Sequence, residues 1–447
     1  MSDSAASAEP ITIDVWLAGH PIPHFLDPVT EAAESFARAH PGYRVRLREI
    51  NFRELPGEVA RAVAQGNPPD LAEYYFTATQ LALDTRATSG QPLFTPVQRA
   101  IGDRTKILGE PVVIDDLVPA VRDYYSQGGE LVAMPTVVST AILFANQDML
   151  TRAGVERMPR TWTELEAACA AVAKLPGGPA AGIAWPNHGW MFQMEVAGQG
   201  GLLGDNDNGR SGRATRICLN SPEAFAYARW WQRMHARGHW RHTGELRDWL
   251  TAMEAFHRQE VAFVVSSSAV GLLLADMAAQ AGFGLSTGVL PRNGDRPFAG
   301  RLLGGQSLFL TAGLSREKED GALAFLQHLL NPHHELRRQQ VGSLPVTVSA
   351  QQRLAADGWF DRYPAFRTAA EQVASSNRTP AACGAVIGDL NGIQDVLTSA
   401  MRDVLVLRQD LTTRFRAATD EAQALLDHYN AACLGDPPVT PDALEAG

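Results

Sequence analysis

Aromatic side chains are the residues of this sequence that point most directly to ligand chemistry. A flat ring offers apolar area with few rotatable bonds, and stacking adds about 0.5–1.5 kcal/mol to binding beyond the burial of area. A single ring at such a position is more typical of a core, whereas several that converge on one crevice predict a small-molecule site. The rings at predicted strand ends or in loops are Trp16, Tyr74, Tyr75, Phe76, Trp185, Trp190 and Trp240.

Two groups of histidines are candidates for metal binding or ligand contact. His235, His239 and His242 are close in sequence, but Gly238, between the first two, would end the helix that aligns them, which favours solvated or capping histidines. His20 and His24 lie in the loop after the first predicted strand. Because that loop points into the predicted crevice, we expect one of these two to touch ligand, and we predict no metal.

Recognisable catalytic signatures are missing from the sequence. It contains no GxSxG, HExxH, GxxxxGK[ST] or GxGxxG. The DNDNG run at 205–209 resembles the start of a calcium loop, but its glycine is one place early and Arg216 stands at the twelfth position, so a polar turn is favoured. The four cysteines form no CxxC pair, which indicates buried free thiols. We predict no cofactor.

Length and charge exclude several classes of protein. At roughly 150 residues per domain, 447 residues predict two or three domains. The net charge of −10 disfavours nucleic acid and anionic bilayers as partners. No run of 18 apolar residues is present, so we expect no transmembrane segment. Only three of the 39 basic residues are lysine, a bias typical of a GC-rich, actinobacterial-like genome.

The N-terminal sequence MSDSAASAEP leaves localisation open. It lacks the basic and apolar regions of a secretory signal. We expect a cytoplasmic protein if Met1 is the native start. If an export signal has been removed, the composition of residues 1–10 suits a flexible tether of a membrane-anchored, extracytoplasmic lipoprotein.

The first part of the chain predicts an α/β fold. Residues 11–17 alternate as a strand, a helix follows over Val29–Ala39, and Tyr43–Ile50 forms a second strand. A helix over 54–65 then leads through PPDLAEYY into a third strand. Strands separated by helices at short intervals predict a parallel sheet.

The remainder predicts two lobes that the chain visits more than once. Residues 128–150 start with a hairpin-like turn and continue into an apolar strand long enough to cross between lobes. Helices start at Thr161, with Glu164 as its capping-box partner, and at Ser221. Further predicted elements are helices near 245–258, 315–330 and 408–432 and strands at 283–290 and 302–311. Ligands in such folds bind in the crevice at the carboxyl ends of strands.

Taken together, these segments resemble family 1 extracellular solute-binding proteins of ABC importers. The resemblance covers roughly residues 11–430 and is closest to the branch that binds glycerol 3-phosphate and glycerophosphodiesters. It is carried, in the family's order, by PPDLAEYYFTATQ, ELVAMPTVVSTAILFANQDML, PRTWTELEAACAAV, LNSPEAFAYARWWQRM, AFHRQEVAFVVSSSAV, FGLSTGVLP, LLGGQSLFLTAG, ALAFLQHLLNP, VGSLPVTVSA and GWFDRYPAF.

The resemblance implies roles for particular residues. Tyr75 stands at the place of a ligand-contacting tyrosine, Trp190 at that of a packing tryptophan, and Gly305 at the glycine of a Gly-Gly turn. Together with the pattern above, it assigns the ligand site to Trp16, His20, His24, Tyr74, Tyr75, Phe76, Ser139, Thr140, Trp190, Gly304, Gly305, Gln306 and Ser343.

Three positions depart from that branch. Phe76 replaces its acidic glycerol-binding residue, Ser343 replaces a tyrosine, and Val386 lies where an arginine would hold phosphate. Without the guanidinium the crevice lacks a bidentate anion clamp. A neutral polyol, a saccharide or a less polar metabolite is therefore as well supported as a glycerophosphate.

The resemblance implies a two-lobed α/β fold of the periplasmic-binding-protein type, class II, with three hinge crossings near residues 138, 290 and 343. We expect one lobe from 11–138 plus 291–342, the other from 139–290 plus 343–435, and a disordered tail over 436–447. The implied function is hinge-closing capture of a sugar, oligosaccharide, polyol or glycerophosphodiester for an ABC importer. The implied partners are the small-molecule ligand and permease subunits, with the protein itself a monomer.

Two alternatives from different classes stay open, a pure interaction module and an enzyme or carrier. A cytoplasmic relative of this fold could act as an enzyme or carrier in secondary metabolism. Its catalytic groups would then be crevice residues such as His20, His24, Asp70, Glu73 and Glu195, although none of them forms a recognisable dyad.

Overall fold

The computed structural model describes residues 9–19 and 24–434. His20, most of the predicted tether and the predicted tail at 436–447 lie outside these residues. The strands are β1 (Ile11–Gly19), β2 (Tyr43–Asn51), β3 (Leu71–Tyr75), β4 (Phe94–Thr95), β5 (Lys106–Ile107), β6 (Glu110–Pro111), β7 (Ser126–Gln127), β8 (Glu130–Leu131), β9 (Met134–Ser139), β10 (Ala141–Asn146), β11 (Ala181–Ala184), β12 (Trp240–Arg241), β13 (Val261–Ser267), β14 (Leu285–Val289) and β15 (Gly304–Thr311).

Helices connect and cover these strands. They are α1 (Asp27–Ala39), α2 (Leu55–Ala64), α3 (Thr79–Asp84), α4 (Val97–Ile101), α5 (Pro119–Tyr124), α6 (Gln147–Arg152), α7 (Trp162–Val172), α8 (Gly189–Gly198), α9 (Asp205–Gly209), α10 (Pro222–Ala236), α11 (Trp249–His257), α12 (Gly271–Ala281), α13 (Arg316–Leu329), α14 (Pro332–Gln339), α15 (Val348–Ala356), α16 (Trp359–Arg362), α17 (Pro364–Ala374), α18 (Pro380–Cys383), α19 (Leu390–Leu405) and α20 (Leu411–Leu434). α9 is a single left-handed turn, with φ between 49° and 62° at residues 206–208, so the DNDNG run forms a turn rather than a right-handed helix.

The first sheet has the strand order β2-β1-β3-β15-β4, and β9 also pairs with β15. β1 runs parallel to β2 over its whole length and parallel to β3, as the sequence predicts. The parallel pairing predicted for the first three strands is thus confirmed, and β15 adds antiparallel pairs with β3, β4 and β9. β15 enters from the second sheet, and the βαβ pattern of the N-terminal segment carries no information about it.

The second sheet has the order β12-β11-β13-β10-β14. It is also mixed: β11 is parallel to β12 and β13, whereas β10 is antiparallel to β13 and β14. Two mixed sheets with helices packed on them make the predicted two-lobed α/β architecture. We call the parts built on the first and second sheets the first lobe and the second lobe.

The segment at 128–150 forms two strands where the sequence predicts one long strand. After the β7–β8 hairpin, β9 joins the first sheet and β10 joins the second, with Thr140 between them. Thr140 is fully buried; its Oγ1 donates to the carbonyl oxygen of Leu302 at 3.0 Å, and its backbone N–H donates to Ser268 Oγ at 3.2 Å. These bonds hold the chain where it changes sheets.

Two further crossings lie beside this one. β14 belongs to the second sheet and β15, the next strand along the chain, to the first, so the chain crosses back between them. The 343 segment lies against the first crossing, because the backbone N–H of Leu344 donates to the carbonyl oxygen of Val138 at 2.8 Å. Three crossings are thus present as expected, and the lobe boundaries given above stay a prediction.

Helix starts follow their sequence signals closely. Thr161 and Glu164 form the predicted capping box of α7, and Ser221 caps α10 by accepting from the backbone N–H of Ala224. The helix expected from 245 begins at Trp249 instead, since the Asp248 side chain accepts from the N–H of Thr251 and caps it there.

The second lobe has an aromatic core. The rings of Trp162, Trp230 and Trp185 stack in series, with centroids 5.0 and 5.5 Å apart. Trp231 meets Trp240 edge to face at 5.1 Å. Trp185 and Trp240 are therefore core residues, and the expectation that their placement at strand ends marks ligand contact is not supported by where they lie.

Candidate functional site

Five aromatic rings form a continuous series from the first lobe to the second. Phe52, Tyr75 and Phe76 come from the first lobe, with centroid distances of 5.0 Å between the first two and 4.8 Å between the last two. Phe76 faces Trp190 of the second lobe at 6.3 Å, and Trp190 lies 6.0 Å from Trp249. We call this set the aromatic crevice.

Strand and helix ends place these rings. Tyr75 is the last residue of β3, and the chain turns there into a short 3₁₀ segment that starts at Phe76. Trp190 lies in the first turn of α8, which is capped by His188 Nδ1 accepting from the Trp190 backbone N–H at 3.0 Å. The N-terminus of α8 is anchored on α19, where the Gly189 N–H donates to Thr398 Oγ1 at 2.8 Å.

His188 and Tyr75, the histidine and tyrosine of the crevice, are neutral near pH 7. Burial, followed by the positive charges of Arg247 and Arg53, lowers the pKa of His188 to about 4. A neutral imidazole is the form that accepts a hydrogen bond through Nδ1, as this cap requires. Burial also raises the pKa of Tyr75 to about 12, so its phenol stays protonated.

The crevice contains one polar donor without a partner. Trp190 is 6% exposed, and its indole Nε1–H is buried without a hydrogen-bond acceptor in the described part of the chain. A buried indole N–H ordinarily finds an acceptor. The ring therefore offers a stacking face and one hydrogen-bond donor to a bound molecule.

The backbone of β15 closes in on Trp190. A Cβ atom built at Gly304 would lie 3.2 Å from Trp190 Cζ2 and 3.3 Å from Ser139 Oγ, so glycine permits this approach. Gly305 has φ +149°, and a Cβ there would meet the carbonyl oxygen of Val137 at 1.9 Å. Ser139 pairs with Gly304 across the strands, which places this predicted site residue beside the ring.

Other predicted site residues serve the crossings in this structure. Thr140 is engaged as described above. Ser343 Oγ accepts from the Val138 N–H at 3.3 Å and donates to the carbonyl oxygen of Leu344 at 3.0 Å. Gln306 Nε2 donates to the carbonyl oxygen of Ala18 at 3.2 Å.

Three predicted site residues lie away from the aromatic crevice. Trp16 and Tyr74 belong to a separate core cluster on the first lobe, where Tyr74 packs edge to face on Phe309. His24 has a side chain that is 80% exposed, and its Nδ1 pairs with Asp27 at 2.9 Å. Alternation along β1 and β3 explains why Trp16 and Tyr74 lie away from the crevice, because neighbouring residues of a strand face opposite sides of the sheet.

Sequence reasoning missed Phe52, His188 and Trp249. His188 and Trp249 lie in the second lobe, with ring centroids 5.6 Å apart, and Phe52 directly follows β2. The position of Phe52 directly after a predicted strand was a usable sign that its ring lies at a strand end, where ligands bind. His188 and Trp249 stand at helix starts, where the sequence offers no sign that both helices point at one crevice.

Charged groups at the crevice rim are paired. Asp395 on α19 binds Arg247 of the second lobe and lies 3.9 Å from Arg53 Nη1 of the first lobe. Val386, where the resemblance expects a phosphate-binding arginine, is buried and apolar. Arg53 and Arg247 share the one carboxylate of Asp395, so these three rim groups keep one net positive charge. The aromatic crevice itself presents stacking faces and an indole donor, a set suited to an uncharged or weakly charged ligand.

The acidic residues considered for catalysis are also engaged. Asp70 accepts from the Asp14 N–H at 2.7 Å and pairs with Lys318 at 2.9 Å. Glu195 pairs with Arg301 at 3.2 Å inside the second lobe. Within residues 9–19 and 24–434, no group of three or more metal-ligand side chains is placed to hold a metal ion, and no helix is long and apolar enough to cross a membrane.

Comparisons with known proteins agree with this architecture. The sn-glycerol-3-phosphate-binding periplasmic protein UgpB of Salmonella typhimurium is 25% identical over 414 residues, which cover 90% of each chain. The cyclic alpha-maltosyl-1,6-maltose binding protein from Arthrobacter globiformis superposes with a TM-score of 0.75 at 18% identity, covering 93% of this chain and 99% of that one.

A third similar structure is UgpB from Mycobacterium tuberculosis in complex with glycerophosphocholine. It superposes with a TM-score of 0.70 at 21% identity and covers 94% of this chain and 99% of that chain. These likenesses show the fold. The family model described as bacterial extracellular solute-binding protein matches residues 31–368, well over half of the sequence. The chain therefore belongs to the bacterial extracellular solute-binding protein family.

Proposed function

We propose that this protein captures a small uncharged or weakly charged solute in the aromatic crevice and delivers it to the permease of an ABC importer. The observation that carries the proposal is the ring series that joins the two lobes, with Phe76 of one lobe 6.3 Å from Trp190 of the other. The two rings are in contact here, so a sugar ring can enter between the lobes only after they move apart, and closure would then bring rings of both lobes onto it, which couples binding to the hinge motion.

A saccharide or oligosaccharide is the first candidate ligand. Stacking faces and the free Trp190 indole N–H suit a ring with hydroxyl acceptors, and the rim guanidinium groups of Arg53 and Arg247 are already shared with Asp395. The maltose-type ligand named for the Arthrobacter protein supports this class. Delivery to a permease also implies an extracytoplasmic location, and the Salmonella relative is described as periplasmic.

A glycerophosphodiester is the second candidate. It is favoured by the ligands named for the two UgpB proteins. The aromatic rings also suit a quaternary ammonium group, which binds over ring faces. Against it stands Val386, since no guanidinium is offered at that position for the phosphate.

The test is a binding screen on the full chain. Thermal-shift and calorimetric titrations would compare maltotetraose, glycerol, glycerol 3-phosphate and glycerophosphocholine, with native mass spectrometry of the recovered solute. A binder at 100 times its Kd adds about 2.7 kcal/mol to the free energy of unfolding. We expect maltotetraose to stabilise the protein and to be recovered unchanged. Chemical alteration of a bound solute would favour the enzyme alternative, and no binding by any of the four would contradict the proposal.

A further inference from the structure

A small buried recess lies at the carboxyl-end edge of the first sheet, next to the aromatic crevice. Its apolar walls include Phe25, Leu26 and Val29 from the start of α1. Its polar lining consists of Glu73, Gln306, Arg338 and Ser343, each no more than 5% exposed. We call it the hinge recess, because Ser343 belongs to the third crossing.

Two polar atoms of the recess lack partners. Gln306 Oε1 and Arg338 Nη1 are buried and make no hydrogen bond within the described residues. One is an acceptor and the other a donor. Leaving such groups unpaired in an apolar interior costs about 1–3 kcal/mol each, and more for a charged group. Both atoms belong to residues that line the recess, so a polar group held in it could satisfy them.

The charge of the surroundings determines which kind of group fits. Two carboxylates flank the Arg338 guanidinium electrostatically, Glu73 and Glu335. Glu73 accepts from the Ala18 N–H at 3.1 Å and from Thr136 Oγ1 at 2.5 Å, and Glu335 accepts from the Val346 N–H at 2.9 Å. Because two carboxylates already face the single positive charge of Arg338, a further anion is disfavoured. A neutral group that both donates and accepts fits both free atoms.

The volume of the recess limits the polar group that it can hold to a single hydroxyl. The free volume of the recess is about 10 Å³, close to the space that one water or hydroxyl oxygen needs. Gln306 of β15 is the cross-strand partner of Tyr75 of β3, so the recess is next to the part of the aromatic crevice that Tyr75 forms. Serine at 343 also leaves room that the tyrosine expected from the resemblance would fill.

We infer that the hinge recess receives one hydroxyl group of the captured solute, which accepts from Arg338 Nη1 and donates to Gln306 Oε1. The inference rests on the proposed function and deepens it: the solute carries a free hydroxyl group that projects beyond the part held by the rings. Gln306 and Arg338 then select hydroxyl-bearing solutes over analogues that lack this group, because the analogue would leave both atoms unpaired.

The experiment measures calorimetric affinities for maltotetraose and glycerophosphocholine with the full chain. Gln306→Met removes the acceptor at similar volume, together with the Nε2 bond to the Ala18 carbonyl, whereas Ser343→Thr keeps the hydroxyl group and adds one methyl group to the recess. Arg337→Met is the matched control, because Arg337 is on the same helix but pairs with Glu31 outside the recess. We expect about threefold to tenfold weaker binding by each recess variant and no change in the control. The Tm of each unliganded variant reports folding, and Ser343→Thr carries the test if Gln306→Met does not fold.

Every outcome decides the inference. Weaker binding at unchanged Tm supports it. Binding by both recess variants equal to that of the wild type would mean that the recess holds a structural water only, which overturns the inference and leaves the proposed function standing. Binding of neither probe by the wild type would contradict the ligand classes of the proposed function, and the inference would fall with them.

Discussion

Trp190 combines three properties that make it the central residue of the candidate site. It is at the start of a capped helix, it faces Phe76 of the other lobe, and its indole N–H has no acceptor in the described part of the chain. Gly304 lets the β15 backbone approach its ring. The indole can therefore contribute both area and a hydrogen bond to a bound solute.

Replacing Trp190 by phenylalanine separates these two contributions. We expect Trp190→Phe to keep the stacking face and to weaken solute binding by about 1 kcal/mol, roughly fivefold, through loss of the indole donor. Titration calorimetry with the strongest binder of the screen measures this. Trp231→Phe is the control, because its indole N–H is equally buried and unpartnered among the described residues but lies in the second-lobe core. Equal affinity in the wild type and Trp190→Phe would exclude a hydrogen bond from the indole.

At the scale of elements, helix α14 depends on an imidazole cluster. His334 Nε2 lies 2.9 Å from Ser35 Oγ on α1 and 3.1 Å from His328 Nε2 on α13. His328 Nδ1 lies 2.9 Å from Glu110 Oε1. Two imidazole rings this close repel each other strongly when both are protonated to the cationic form. α14 also bears Arg338 and Glu335, so the cluster braces the helix that supports the hinge recess.

This cluster makes stability depend on acid pH. Burial, followed by the charges of His328 and His333, lowers the pKa of His334 from 6.5 to about 4. Between these values the unfolded chain binds more protons than the folded one, so the free energy of unfolding falls as pH falls, by about 3 kcal/mol at most. Burial raises the pKa of Glu110, but hydrogen bonds with His40 and His328 outweigh it and lower this pKa overall. The lowered pKa also makes the free energy of unfolding fall as pH falls.

We expect His334→Gln to flatten the decline of Tm between pH 6.5 and pH 4.5. Differential scanning calorimetry across that range measures the slope. The control is His24→Gln, since the His24 side chain is 80% exposed. A slope as steep in His334→Gln as in the wild type would contradict a role of this imidazole in the acid response.

At the scale of the whole molecule, ion pairs join the lobes at the side of the crevice formed by α3 and α20. Asp84 of the first lobe binds Arg213 of the second, accepts from Tyr429 Oη at 2.9 Å, and accepts from Gln80 Nε2 at 2.9 Å. The Asp84 side chain is 6% exposed, so the interaction is only weakly screened by salt. Such a contact stabilises the arrangement of the lobes seen here without touching the aromatic crevice.

We expect Asp84→Asn to shift the lobes toward an open arrangement. Small-angle X-ray scattering of the unliganded protein would show a larger radius of gyration, and solute binding would weaken severalfold because fewer molecules are closed. Asp320→Asn is the matched control, since Asp320 pairs with Arg104 within the first lobe. An unchanged radius of gyration together with unchanged affinity would show that this contact does not hold the lobes together.

The local features of the fold were predictable from sequence. Alternation predicted β1 and β2, and the Thr161 and Ser221 caps marked two helix starts correctly. Local physics is sufficient here, because caps and alternation act between residues a few positions apart. The order of motifs added the two-lobed architecture and the family through resemblance.

The tertiary structure alone decided which residues meet. The sequence could not distinguish Tyr74, which faces the core, from Tyr75, which faces the crevice, because one register step reverses the side of a sheet. It also could not place Arg338 against Gln306, which are 32 positions apart, or bring Trp249 to Trp190. Such contacts depend on how strands cross between sheets and how helices pack on them. The physical reason is that these contacts form only in the folded molecule, so their free energy cannot be read from any local segment of the sequence.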